Sequence, residues 1–143
     1  MSSTEYVASL ELENFTVLPS EKFYFSNNLN VIVAENGCGK THLLKVLYSL
    51  LEVTSNTKNR LLKTELQKDF SNKLLNVFRP DSLGRLSKRL QGRRRTEIIL
   101  KLQNGTTHSR LNFSSNSSSQ VNIESIGLKE SEHTSTPIFL SNR

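Results

Sequence analysis

Apolar and polar residues alternate at the start of the chain. Tyr6, Ala8, Leu10 and Leu12 are separated by shorter or polar residues, the period of a half-buried strand. Phe23-Tyr24-Phe25 predicts a second short strand, reached through a turn near Pro19-Ser20. Leu29-Asn30-Val31-Ile32-Val33-Ala34 is a short apolar run rich in β-branched residues, and it predicts a central strand covered on both faces. Gly37 and Gly39 break it. From Lys40 onward Leu43, Leu44, Val46, Leu47, Leu50 and Leu51 recur at helical spacing around most of the circumference, which predicts a largely buried helix.

Leu62, Leu66, Phe70 and Leu74 follow at steps of four and predict a second helix that Pro80 must end. Leu83, Leu86 and Leu90 predict a short third helix closed by Gly92, with Arg85, Lys88 and Arg89 on its other side. Thr96 to Phe113 reads as a hairpin, because Asn104-Gly105 suits a two-residue turn in which both residues need positive φ. That turn pairs Ile98 with Leu111 and Leu100 with Ser109, so the apolar residues of both strands share one face. A polar stretch, Ser114 to Ser119, predicts a loop, followed by strands at Val121–Ile126 and Ile138–Leu140.

With 143 residues, 35% of them apolar and 22% charged, the chain has the size and composition of about one globular domain. No apolar run approaches the roughly 18–20 residues of a membrane span, and no basic-then-apolar leader is visible. The lone Cys38 forms no internal disulfide and fits a reducing cytoplasm. The net charge of +6 is concentrated: Lys58 to Arg95 holds twelve basic residues against Glu65, Asp69 and Asp81. Arg85, Lys88, Arg89, Arg93, Arg94 and Arg95 form its densest part, which suits nucleic acid or an acidic partner surface. A solvated face is the other reading.

The most specific pattern lies between the apolar run and the buried helix. Ala34-Glu35-Asn36-Gly37-Cys38-Gly39-Lys40-Thr41 is a near match to G-x-x-x-x-G-K-[ST], with Ala34 in place of the first glycine. A triphosphate needs several donors converging on its oxygens, and side chains would crowd a backbone wrapped that closely. Gly37 and Gly39 let N–H groups turn inward, and the helix that follows adds its positive end. Lys40 is placed to reach the β- and γ-phosphates, and the Thr41 hydroxyl to hold Mg²⁺. The residues assigned to nucleotide are Asn36, Gly37, Cys38, Gly39, Lys40, Thr41 and His42, with ATP and Mg²⁺ as cofactors. His42, His108 and His133 are scattered without partners at ligand spacing, so no metal is assigned to them.

The form Ala-Glu-Asn-Gly-Cys-Gly-Lys-Thr resembles the ABC-type ATPases of the SMC, RecF and OLD group, which usually carry Gly-x-Asn-Gly-x-Gly-Lys-Ser/Thr. Leu10-Glu11-Leu12-Glu13-Asn14-Phe15-Thr16 is similar to that group's first strand, with Thr16 where a basic residue is usual. The likeness is good over residues 5–52 and weaker over Thr136–Arg143. It implies an α/β fold of the P-loop NTPase type: an ABC/SMC-like lobe with a mixed β core, a helical basic insertion at about 56–95 and the hairpin at about 96–113. Within the group the chain looks similar to the OLD-like ATPases of antiphage systems, including the ATPase subunit of Septu and retron-associated ATPases.

No four-residue apolar run ends in Asp-Glu, and nothing resembles Leu-Ser-Gly-Gly-Gln, so Walker B and the signature motif are absent. The resemblance therefore implies the N-terminal portion of an ATPase that hydrolyses ATP in a complete dimer. It implies as partners a second ATPase subunit and an effector nuclease or nucleic acid, and no membrane. Two other functions fit a phosphate loop: a nucleotide-gated nucleic-acid-binding module without hydrolysis, and a P-loop kinase.

Overall fold

The computed structural model describes residues 6–56, 62–89, 91–92, 94–103 and 108–126. In chain order these form β1 (Val7–Glu13), β2 (Glu21–Tyr24), α1 (Lys40–Asn56), α2 (Lys63–Phe78), a single 3₁₀ turn (Leu83–Leu86), β3 (Arg95–Leu102), β4 (His108–Ser114) and β5 (Asn122–Ile126). The strands make one sheet in the order β2-β1-β3-β4-β5, and each neighbouring pair is antiparallel. A mixed core is the expectation from sequence; the described sheet has no parallel pair.

Side-chain alternation gives the sheet two unlike faces. Leu10 lies opposite Leu100, Leu12 opposite Ile98, Ile98 opposite Leu111 and Leu111 opposite Ile123, so one register lines an apolar face across four strands. All six of these side chains are buried. β3 and β4 thus pair in the register that a two-residue turn demands, although Asn104-Gly105 itself lies outside the described residues. The other face is polar: Arg110 donates to Glu97 at 2.7 Å and also approaches Glu124 at 3.4 Å. An antiparallel sheet tolerates such a wet face, because only one side needs covering.

Both helices share the core formed on the apolar face. Leu66, Phe70 and Leu74 of α2 are buried, at about 1.5–3 kcal/mol each relative to exposure. Two polar side chains on the same helix fasten it to the sheet. The Val121 N–H donates to Ser71 Oγ at 2.9 Å, and Gln67 Nε2 donates to the Val121 carbonyl at 3.2 Å. Between the helices Lys73 pairs with Glu52 and lies 4.8 Å from the Tyr48 ring centre. The hydrogen bond from Lys73 holds the Glu52 carboxyl below its ordinary pKa. α2 ends at Phe78, and Arg79 turns the chain with φ +53° just before Pro80.

The described part of the basic stretch 56–95 packs into the main core through Leu66, Phe70, Leu74, Leu83 and Leu86. Three expectations need correction. Among the described residues there is no third α-helix. The Thr16 N–H bonds the Leu86 carbonyl at 2.7 Å, Ser87 bridges Phe15, and the Lys88 N–H bonds the Asn14 carbonyl at 2.7 Å. These cross-chain bonds occupy the groups a helix would need, so the 3₁₀ turn stops and the backbone pairs with the end of β1.

Residues 29–34 join no ladder among the described strands, and Leu29, Val31 and Val33 are 80%, 74% and 88% exposed. A β-branched run forms a strand only where another strand runs beside it, and β1 already has β2 and β3 on its two edges. Finally, α1 buries one face, through Leu43, Val46, Leu50 and Val53, while Leu44 is exposed. The strand expected at Ile138–Leu140 lies outside the described residues.

Candidate nucleotide-binding site

The glycine loop runs from Ala34 into the first turn of α1, and the backbone shows which positions require glycine. Gly37 has φ +84° and Gly39 φ +92°, the left-handed region that side chains resist. Ala34 is not among the residues with positive φ. A Cβ is therefore acceptable at the one position where the loop departs from the usual pattern. Gly39 is constrained a second way: a Cβ there would come within 2.8 Å of Leu18 Cδ2 and 3.0 Å of Val17 Cγ2. The loop thus rests on the turn that follows β1.

That turn begins at Asn14, whose φ of +53° asparagine tolerates better than most residues. Its side chain donates to the Arg95 carbonyl at 3.2 Å, and its carbonyl accepts from Thr96 Oγ1 at 2.9 Å. Phe15, fully buried, meets Phe78 edge-on at 5.5 Å between ring centres. Phe78 also meets His42 edge-on at 5.5 Å and lies under the Lys45 ammonium at 5.7 Å. The end of α2 and the Asn-Phe corner of β1 consequently brace the start of α1. Val17, Leu18 and Phe78 were not among the residues singled out from sequence. The Asn-Phe pair was the available signal for the first two; nothing local marked Phe78.

Asn36, Gly37, Cys38 and Thr41 are exposed along the loop and the first turn of α1, and Gly39 and Lys40 are half-buried. The Lys40 ammonium is folded back over the loop, donating to the Ala34 carbonyl and to the Glu35 carbonyl at 3.2 Å. α1 makes its first helical bond from the Leu43 N–H to the Gly39 carbonyl at 2.9 Å. The N–H groups before it are those that a helix cannot satisfy internally, and no acidic residue occupies the first turn to oppose an anion. Two positive-φ glycines, a lysine ammonium, an exposed threonine hydroxyl and a helix start make a donor set that fits ATP with Mg²⁺. Among the described residues no group of three or more His, Cys, Asp or Glu could hold a metal by itself, and Mg²⁺ at Thr41 would take its remaining ligands from phosphate and water.

His42, at the end of the loop, turns its side chain to a neighbouring element. Its ring lies against Phe78, and Nδ1 is buried without a hydrogen-bond partner. What remains to it at the loop is its backbone N–H. Burial, and secondarily the charge of Lys45, holds its pKa below the ordinary 6.5. The folded state thus resists a proton that the unfolded chain accepts, so this stability is complete above pH 6.5 and declines as pH falls below it. Urea midpoints should fall from pH 7.5 to pH 5.5 more steeply in the wild-type chain than in His42→Gln. Equal falls would show that His42 is not the group responsible.

The basic residues separate into neighbouring sites. Arg85, Lys88, Arg89 and Arg94 line one concavity of about 400 Å³. Arg95 lines an adjoining one with Arg94, Glu13, Glu97 and Glu124. Arg93 lies outside the described residues.

A family model described as AAA domain matches residues 9–141. The DNA replication and repair protein RecF of Francisella tularensis subsp. novicida is 44% identical over 45 residues, which is 32% of this chain and 13% of that protein. RecF of subsp. mediasiatica is 42% identical over a stretch of the same coverage. The matched part thus spans about an eighth of these curated relatives. No solved structure matches the chain. Matched over nearly its whole length, and carrying a glycine loop of this geometry, the chain belongs to the AAA domain family, and its similarity to RecF supports an ATP-binding P-loop ATPase of the SMC/RecF type.

Proposed function

We propose that this chain is the ATP-binding lobe of an ABC/OLD-like ATPase, cytoplasmic, that hydrolyses ATP only within a complete dimeric assembly. The observation that carries the reading is the loop itself: left-handed Gly37 and Gly39, with Lys40 at the start of α1. When bound, Mg²⁺ would neutralise phosphate charge. This chain's own part is to surround the phosphates with N–H donors, supply the Lys40 charge and offer the Thr41 hydroxyl to the metal. These 143 residues carry neither an acidic Walker B strand nor a signature motif, so hydrolysis is assigned to the assembly and not to this chain alone.

The name of the Francisella relative, a DNA replication and repair protein, supports nucleic acid as a partner; an effector nuclease is the other partner proposed. The resemblance of Pro137-Ile138-Phe139-Leu140 to the strand that leads toward the lid segment in OLD-like ATPases is the ground for a role in antiphage defence, of the Septu or retron-associated kind. The antiparallel sheet favours an ATPase over a small P-loop kinase, whose strands and helices alternate after the loop. A nucleotide-gated nucleic-acid-binding module without hydrolysis is the second reading, favoured by the missing Walker B residues.

Cys38 offers a direct test, because its thiol is exposed within the loop. MgATP at about ten times its Kd should slow alkylation of Cys38 about tenfold, by occupancy alone. The chain by itself should bind MgATP without steady turnover. Labelling at the same rate with and without saturating MgATP would place the nucleotide elsewhere, and steady turnover lost in Lys40→Ala would show the site to be complete in this chain.

A further inference from the structure

Four cations share the 400 Å³ concavity, and none of the residues lining it is acidic. Among the described residues no carboxylate pairs with Arg85, Lys88, Arg89 or Arg94, whereas Lys73 has one such partner and Arg110 two. Like charges brought this close repel, and a partner that neutralises them relieves the repulsion. The remaining lining is small and polar: Ser82, Ser87, Ser115 and two glycines leave room for an anion between the long side chains.

The backbone beneath is held from three directions. The Leu83 N–H donates to the Ser118 carbonyl at 3.0 Å and the Gly84 N–H to the Ser117 carbonyl at 2.8 Å, which ties it to the β4–β5 loop. Lys88 and Ser87 are tied to the end of β1, and the Ser87 hydroxyl hydrogen-bonds that of Thr96 on β3 at 2.8 Å. Arg85 and Lys88 therefore stand on a backbone held in place by these bonds.

The charge also has a boundary. Beyond Arg94 the surface passes to Glu13, Glu97 and Glu124, which would repel a polyanion. A bound strand is thereby confined to the side of Arg85, Lys88 and Arg89. From this arrangement we propose that the concavity between the 3₁₀ turn and the β4–β5 loop binds the phosphodiester backbone of a nucleic acid. Arg85, Lys88, Arg89 and Arg94 contact phosphates, without reading sequence. This rests on the nucleic-acid half of the proposed function and not on its nucleotide half. The site also reaches the glycine loop through one turn: Leu86 accepts from Thr16, and the next residues, Val17 and Leu18, pack on Gly39.

The test measures binding of the chain to a short DNA duplex and to the matching RNA duplex, without nucleotide, as a function of NaCl. Four phosphate contacts predict a log K against log [salt] slope of about −3.6 for duplex DNA. Changing Arg85, Lys88, Arg89 and Arg94 together to Gln keeps most of the side-chain bulk. It should weaken binding more than about tenfold and flatten the slope by about three. A control of equal charge, Lys22, Lys63, Lys68 and Lys101 to Gln, removes exposed lysines elsewhere and should leave most of the affinity. The quadruple Gln variant should bind MgATP as the wild-type chain does, which separates this site from the nucleotide site. Comparison of the two duplexes distinguishes DNA from RNA as the source of the phosphates. No binding by the wild-type chain, or equal losses in the two quadruple variants, would overturn the proposal. So would displacement of the duplex by poly-glutamate at no higher charge concentration, which would assign the surface to an acidic protein.

Discussion

Lys40→Ala is expected to weaken MgATP binding about a hundredfold while leaving the fold intact. Charge-assisted hydrogen bonds contribute about 1.5–3 kcal/mol each, and about 2.8 kcal/mol corresponds to a hundredfold change in Kd. The Lys40 ammonium reaches the Ala34 and Glu35 carbonyls of its own exposed loop and takes no part in the hydrophobic core. Its removal therefore takes away the charge proposed to meet phosphate, together with two hydrogen bonds inside the loop, and very little packing. Titration with a fluorescent ATP analogue, beside a thermal melt, checks both halves. A variant that binds within about threefold of wild type, a difference of about 0.7 kcal/mol, would mean the phosphates lie elsewhere.

Gly84→Ala should have the opposite profile, destabilising the fold by about 3–4 kcal/mol. A Cβ at Gly84 would lie 2.1 Å from the Ser115 carbonyl oxygen and 2.6 Å from its carbon, and these are backbone atoms that no rotamer change can move aside. Relief requires displacement of the β4–β5 loop, which endangers the Leu83 to Ser118 and Gly84 to Ser117 hydrogen bonds. Overpacking of this kind costs about 1–3 kcal/mol, and each lost hydrogen bond about 1 more. Urea denaturation of the two chains gives the difference directly; a loss below about 1 kcal/mol would show that the loop yields easily. The same substitution should also widen the basic concavity, since Gly84 lines it.

How much of this was legible in the sequence depended on the range of the interaction involved. The strands β1, β3, β4 and β5 follow from alternation, because period two in the sequence is period two in the sheet. The β3–β4 register follows as well, since a two-residue turn allows only one pairing in which Ile98 faces Leu111. α2 follows from Leu66, Phe70 and Leu74, whose steps of four put them on one side of a helix. The glycine loop is the clearest case. Each of its requirements is met within eight consecutive residues, so the donor set could be named before any tertiary contact was known.

The rest was decided by partners distant in sequence. Leu83, Leu86 and Leu90 have helical spacing, but Asn14, Phe15 and Thr16 claim the backbone groups that a third helix would have used. The β-branched run at 29–34 marks a segment suited to a sheet interior, yet composition names no neighbour, and the described strands provide none. His42 follows the loop in sequence, but its ring is drawn to Phe78, thirty-six positions further on. Local pattern thus determined the β3–β4 register, α2 and the glycine turn before α1, because their geometry is set by residues a few positions apart. Tertiary structure alone determined what braces Gly39, where His42 points and which four cations meet, because those contacts depend on chain crossings that no local period encodes.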